Sequence, residues 1–86
     1  MDATQYTAEK IQQTIAQALP GATVKVTDTT GTNDHFDCLV IWDGFETKSL
    51  VEQHQIVMGF LKEGLKGPIH ALSLKTATRT NWEQRR

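Results

Sequence analysis

The chain of 86 residues carries nine lysines and arginines against ten aspartates and glutamates, so its formal net charge is −1. This balance argues against a general nucleic-acid binder, which usually has a basic surplus. The hydrophobic content of 38% suits a single domain over residues 1–86 with one modest core. No apolar run approaches the roughly 20 residues of a membrane helix, and the start MDATQYTAEK does not resemble a signal peptide. We therefore expect a cytoplasmic domain without membrane association.

The first half of the chain predicts one helix and two strands. A stripe of apolar residues at helical spacing predicts a helix over residues 7–19, with Thr7 as its N-cap and Pro20-Gly21 as its end. Alternating apolar residues predict a strand over residues 22–28, and the turn-rich loop TTGTND follows it. His35 then leads a second strand over residues 36–42, which is apolar at nearly every position.

The second half predicts a long helix, a strand and a short terminal helix, over residues 48–63, 70–76 and 80–85. We expect His54, on the apolar face of the long helix, to be packed or hydrogen-bonded and not catalytic. Six residues make up this predicted face: Leu50, Val51, His54, Val57, Met58 and Leu61. The following GLKG, residues 64–67, matches the GXXG pattern of KH domains, and we interpret it as a helix end and a turn.

The order α-β-β-α-β, with a short C-terminal helix, predicts an α+β fold with a three-stranded mixed sheet. The short loop makes the first two strands antiparallel, and the helical crossover makes the second and third strands parallel. Parallel strands start at the same end of a sheet. His35, His70 and the loop of residues 29–34 are therefore predicted to lie at one edge of the domain.

Two imidazoles at neighbouring strand starts, with backbones about 5 Å apart, are able to bind one metal ion or one small cluster. Each histidine also has a structural interpretation: His70 packs in line with Leu72 and Leu74, and His35 is an ordinary surface residue. Two histidines are an incomplete set, since zinc sites use three or four protein ligands. Nearby aspartates are usual in turns, where they cap the backbone.

The remaining chemistry favours a binding module over an enzyme, since no nucleophile elbow and no phosphate-binding loop is present. The single cysteine, Cys38, excludes an intrachain disulfide, which fits a reducing compartment. Cys38 falls within the most apolar strand, where a buried thiol behaves as a small hydrophobe. We expect it to pack in the core.

The runs GFETKSLVEQHQIV and GPIHALSLKT, followed by an Asn-Trp pair, resemble the BolA family. The positions that match are Phe45, His54, His70-Ala71 and Trp82, and DHFDCLVIWD resembles the second strand of the family. The resemblance covers essentially the whole chain. It implies an α-β-β-α-β fold similar to class II KH domains.

The resemblance also implies a function. BolA proteins are partners of monothiol glutaredoxins of the CGFS type, and the pair holds a bridging [2Fe-2S] cluster used in iron sensing, iron-sulfur trafficking and redox regulation. The glutaredoxin supplies a cysteine and a glutathione thiol. The BolA protein supplies the strand-start histidine, here His70, and often a cysteine or histidine from the loop between the first two strands. The free protein is expected to be a monomer or a weak homodimer.

This sequence departs from the family pattern at two places. The loop TTGTND has no cysteine, so His35 is the nearest second ligand, with Asp34 and Cys38 as the other candidates. The QHQ around His54 replaces the arginines of many members, which weakens the alternative function of a KH-like DNA-binding transcriptional regulator. A third option is an adaptor that binds glutaredoxin without any cluster.

Overall fold

The computed structural model describes residues 6–84 and contains the predicted order of elements. The bounds of the three strands and the first helix agree with prediction to within one residue. The first half of the MDATQYTAEK start, residues 1–5, and the predicted end of the last helix at residue 85 lie outside the described residues. The helices are α1 (Ala8–Ala18), α2 (Leu50–Phe60), α3 (Lys62–Leu65) and α4 (Arg79–Gln84), and the strands are β1 (Thr23–Asp28), β2 (His35–Ile41) and β3 (Ala71–Ala77).

Side-chain caps determine where the two main helices begin. The Thr7 hydroxyl accepts a hydrogen bond from the Lys10 N–H at 3.0 Å, as the sequence predicted. Ser49 and Glu52 form a reciprocal capping box at the start of α2, with bonds of 3.2 and 2.8 Å. Each cap satisfies backbone donors that a helix cannot pair internally, which stabilises a helix start by about 1 kcal/mol.

The three strands form one mixed sheet in the order β1-β2-β3. β1 pairs with β2 antiparallel, and Val26 lies opposite Cys38. β2 pairs with β3 parallel, and His35 lies opposite Ala71. The predicted strand directions are therefore confirmed, with the crossover from β2 to β3 running through α2 and α3.

The core lies between the sheet and the helices. α1 packs against β1 and α2, and α2 also packs against β3. Successive residues of β2 alternate, so that Phe36, Cys38 and Val40 are buried while Asp37 between them is exposed. The core cluster comprises Ile11, Ile15, Leu19, Val26, Phe36, Cys38, Val40, Phe45, Val57, Leu61 and Ile69.

The helix predicted over residues 48–63 is interrupted at Leu61. The backbone of Leu61 leaves helical geometry, with φ −111° and ψ 14°, and its N–H bonds to the carbonyl of Met58 instead of continuing the α-helical ladder. Its side chain is fully buried in the core, and α3 continues from Lys62. Within residues 6–84, none of the helices combines the length and the apolar character needed to span a membrane.

The buried face of α2 is rotated relative to the predicted one. Leu50 and Val51 were predicted to be buried, and this was wrong, because they are 60% and 65% exposed. The buried polar residue of α2 is Gln53, whose Oε1 accepts from the Thr76 hydroxyl at 2.7 Å. The Gln53 amide also donates to the Lys48 carbonyl at 3.1 Å. A glutamine with both ends paired is therefore able to occupy a core position.

His54 lies beside this buried position and is half-buried. It is not a member of the core cluster, and no described residue makes a hydrogen bond to its ring. His54 is therefore partly buried, without the hydrogen bond that was expected as the alternative to packing. Helical spacing placed His54 on the inner face, whereas the bonds to Thr76 and Lys48 place Gln53 there.

We predict that Gln53→Ala lowers the free energy of unfolding by about 1–3 kcal/mol, because it leaves the buried Thr76 hydroxyl and the Lys48 carbonyl without their partner. His54→Ala, one position along the same helix, should cost less than about 1 kcal/mol. Urea unfolding of both variants measures the difference. A larger loss in His54→Ala than in Gln53→Ala would contradict this assignment of the core face.

Candidate metal centre

The two candidate histidines meet at the edge of the sheet where β2 and β3 begin. Asp34, the residue before β2, accepts two backbone hydrogen bonds through its carbonyl: from the His70 N–H at 2.8 Å and from the Ala71 N–H at 3.1 Å. These bonds tie the loop before β2 to the start of β3. The predicted juxtaposition of His35 with His70 is confirmed.

The two imidazole rings lie edge to face. Their centroids are 6.2 Å apart and their planes are nearly perpendicular, at 86°. The side chains are accessible, with 45% of His35 and 64% of His70 exposed. Leu72 and Leu74 do pack against the core, but His70 does not share their burial, so its interpretation as a packed core histidine is wrong.

The Asp34 carboxylate lies between the rings. Its Oδ1 is 2.9 Å from Nδ1 of His35, and its Oδ2 is 3.6 Å from Nδ1 of His70. The hydroxyls of Thr32 and Thr30 also donate to Oδ1. These hydrogen bonds lower the pKa of Asp34 to about 2. The bond from Thr32 has the largest effect on the pKa, and the bond from His35 has the next largest. The group is therefore an anion at neutral pH, and an acceptor only.

A second carboxylate organises the loop that carries Asp34. Asp28 accepts backbone N–H bonds from Thr30, Gly31 and Asn33 at 3.3, 2.9 and 3.0 Å. Gly31 and Asn33 have φ of 77° and 61°, in the left-handed region that these two residue types tolerate best. The capping role predicted for aspartates in this turn is thus confirmed for Asp28. It holds the loop in the conformation that delivers Asp34 and His35 to the site.

Cys38 takes no part in this arrangement. It is 4% exposed and belongs to the core cluster, three residues further along β2 than His35. Burial raises the pKa of its thiol to about 11. The predicted packing role of Cys38 is confirmed, and it is not brought together with the two histidines.

The two histidines are fewer ligands than a closed metal site uses. In the part of the chain that the structure describes, no group of three or more histidine, cysteine, aspartate or glutamate side chains is arranged to hold a metal ion. His35 and His70 each turn Nδ1 towards Asp34, which leaves Nε2 of each ring for a metal bond. The site thus presents two exposed ring nitrogens beside a fixed carboxylate, and imidazole nitrogen is a common metal ligand.

The GLKG stretch has a structural role, as the sequence predicted. Gly64 lies in α3, which ends one residue later at Leu65, and its carbonyl accepts from the N–H groups of Gly67 and Ile69 at 3.1 and 2.8 Å. A Cβ added at Gly64 would lie 2.7 Å from Cδ1 of Ile69 and 2.8 Å from Cζ of Tyr6. The glycine is needed for this close approach.

Sequence reasoning missed how Asp34 acts. The sequence suggested Asp34 only as a weak ligand candidate. In the structure its carboxylate lies close to Nδ1 of both rings, and its carbonyl accepts hydrogen bonds from the N–H groups at the start of β3. The Asp-His pair at residues 34–35 was the available signal, because the two residues are adjacent in the chain. The contact with His70, 36 positions along the chain, depends on the strand pairing.

Fold and site together define a small α+β domain that presents two histidines, backed by one carboxylate, at the edge of a mixed sheet. The chain belongs to the BolA-like protein family, since the model of that family matches residues 10–81. The resemblance noted in the sequence motifs is confirmed. A solved structure, the BolA domain of SufE1 from Arabidopsis thaliana, superimposes with a TM-score of 0.78 at 26% identity, covering 86% of this chain and 93% of that one.

The curated relatives of this chain include proteins named BolA or BolA-like. An uncharacterized protein of Rickettsia prowazekii is 32% identical over 69 residues, covering 80% of this chain and 90% of that protein. The Escherichia coli protein named DNA-binding transcriptional regulator BolA is 27% identical over 82 residues, covering 87% of this chain and 78% of that protein. The match to BolA-like protein 1 of Bos taurus, at 35% identity over 54 residues, covers 63% of this chain and 40% of that longer relative.

We predict that Cys38 reacts slowly with iodoacetamide in the native protein at neutral pH, because the thiol is buried and its raised pKa keeps it protonated. Reaction should become fast in strong denaturant. Mass spectrometry of the alkylated product over time provides the measurement. Fast native labelling would show that the thiol is accessible and would return Cys38 to the list of ligands.

Proposed function

We propose that this chain shares a bridging [2Fe-2S] cluster with a monothiol CGFS glutaredoxin and glutathione, in iron-sulfur trafficking or in iron and redox sensing. The observation that carries the proposal is the pair of exposed imidazoles, with centroids 6.2 Å apart, whose Nδ1 atoms both face Asp34. Membership of the BolA-like family supports it. The chain's own ligands are His70 and His35.

Each residue of the site has a distinct part in this proposal. His70 is the principal ligand, because it is the more exposed of the two rings and lies at the start of an edge strand. His35 is the second ligand, since Cys38 is buried away from the site and Asp34 already accepts bonds from Thr30, Thr32 and His35. Carboxylate oxygen is also a harder ligand than iron-sulfur clusters usually take.

The bound cluster would supply one-electron redox chemistry and visible absorbance, and histidine in place of thiolate raises its reduction potential. Neutral imidazole is the form that coordinates a metal, so binding depends on proton concentration. A domain that contributes two ligands requires a partner for the remainder. The glutaredoxin cysteine and the glutathione thiol complete the set, while the free protein is a monomer or a weak homodimer. The single buried thiol fits a reducing compartment, and the proposed location of the protein is the cytoplasm.

We predict that the protein changes the visible circular dichroism spectrum of the cluster on a CGFS glutaredoxin when both are mixed anaerobically with glutathione, iron and sulfide. His70→Ala should return the spectrum to that of glutaredoxin alone, because the principal ligand is lost. His35→Ala should weaken the cluster less. His54→Ala removes the chain's third histidine, which lies on α2 away from this edge, and should behave as the parent.

Calorimetric titration of glutaredoxin with the same variants separates cluster sharing from simple association. If His70→Ala and the parent bind glutaredoxin equally and neither changes the spectrum, the chain is an adaptor without a cluster. If neither His70→Ala nor His35→Ala alters the lifetime of a spectrum that the parent does change, the ligand assignment is wrong.

A DNA-binding regulator is the second candidate function. The name of the Escherichia coli relative favours it. The net charge of −1 argues against this function. The GLKG stretch does not favour it either, because its Lys66 lies 3.7 Å from the carboxylate of Glu63. Fluorescence anisotropy with duplex DNA at several salt concentrations tests it, since a protein that contacts several phosphates loses affinity steeply as salt rises. We expect no binding at physiological salt.

A further inference from the structure

The Asp34 carboxylate is placed to act on both imidazoles at once. An ionised carboxylate only accepts hydrogen bonds, so the 2.9 Å contact with His35 requires the proton of that ring to sit on Nδ1. The unshared electron pair of the neutral ring is then on Nε2. The His70 contact of 3.6 Å is too long for a hydrogen bond, but it holds the Nδ1 edge of that ring towards the same anion.

The carboxylate is itself held in place. The hydroxyls of Thr30 and Thr32 donate to its Oδ1. Its backbone carbonyl is bonded to the N–H groups of His70 and Ala71. Because side chain and main chain of one residue contact both strand starts, a shift of Asp34 would displace both rings together.

We propose that Asp34 is a positioning residue that sets the tautomer and orientation of His35 and His70, leaving Nε2 of each as the metal-binding nitrogen. The use of those nitrogens for a cluster rests on the proposed function, whereas the tautomers belong to the metal-free protein. In metal sites, histidine ligands almost always donate their second ring N–H to a carboxylate, a carbonyl or water. Here one carboxylate bonds to the ring of His35 and faces Nδ1 of His70.

The test is a long-range proton–nitrogen NMR spectrum of the metal-free, ¹⁵N-labelled protein at alkaline pH, where free imidazoles are neutral. The parent should show mainly the Nδ1–H tautomer at His35 and an increased share of it at His70. Asp34→Ala should move both rings towards Nε2–H, with the larger change at His35. His54 should keep its pattern throughout, as an internal reference.

Two further variants separate positioning from a general structural effect. Asp37→Asn removes an exposed carboxylate from β2, the strand that begins at His35. It should leave the tautomers of all three histidines unchanged. Asp34→Asn keeps the size of the side chain, so this variant remains available if Asp34→Ala fails to fold. Its neutral amide is a weaker acceptor, so it should lower the Nδ1–H share at His35 by a smaller amount.

With glutaredoxin and the cluster components, loss of Asp34 should shorten the lifetime of the shared cluster about ten-fold or more. The inference is overturned if His35 of the parent is in the Nε2–H form, or if both Asp34 variants leave the ring tautomers as in the parent. Failure of the proposed function has a different signature: the parent forms no shared cluster, while its tautomers still depend on Asp34.

Discussion

Parallel pairing between β2 and β3 governs how this chain is built. Parallel neighbours cannot be joined by a tight turn, so the chain has to cross from one end of the sheet to the other. Here α2 and α3 make that crossing, and they bring Val57 and Leu61 into the core. The same pairing sets His35 opposite Ala71 and so brings together two histidines that are 35 positions apart in the chain. The parallel register of β2 and β3 therefore positions both the crossover helices of the core and the two histidines of the candidate site.

Burial separates Cys38 from the two candidate histidines, His35 and His70. Cys38 faces the core, where desolvation disfavours the thiolate that would bind a metal. The imidazoles of His35 and His70 stay accessible at the rim, where they remain in contact with water and with any approaching partner. The Asp34 carboxylate is the anion common to both rings, and the bonds from Thr30 and Thr32 keep it charged. These properties leave two ring nitrogens accessible beside a fixed anion at one edge of the sheet.

Errors of prediction arose where a polar side chain was satisfied inside the protein. Helical spacing placed Leu50 and Val51 on the inner face of α2, but the face that packs carries Gln53, because its amide finds Thr76 and Lys48 there. Periodicity scores polarity and not hydrogen-bond partners, so it cannot recognise a paired glutamine in a core. The break at Leu61 also escaped prediction: its side chain is buried on the predicted face, but its backbone leaves helical geometry there.

Local pattern was enough to establish the order and type of the elements, the direction of the strands and the family. Apolar spacing, turn residues and crossover length are short-range properties, and each is visible in the order of the residues. Tertiary packing established the exposure of His70, the inward position of Gln53 and the contact of Asp34 with both rings. Those features depend on distances between residues that are far apart in the chain, and these distances exist only once the strands have paired.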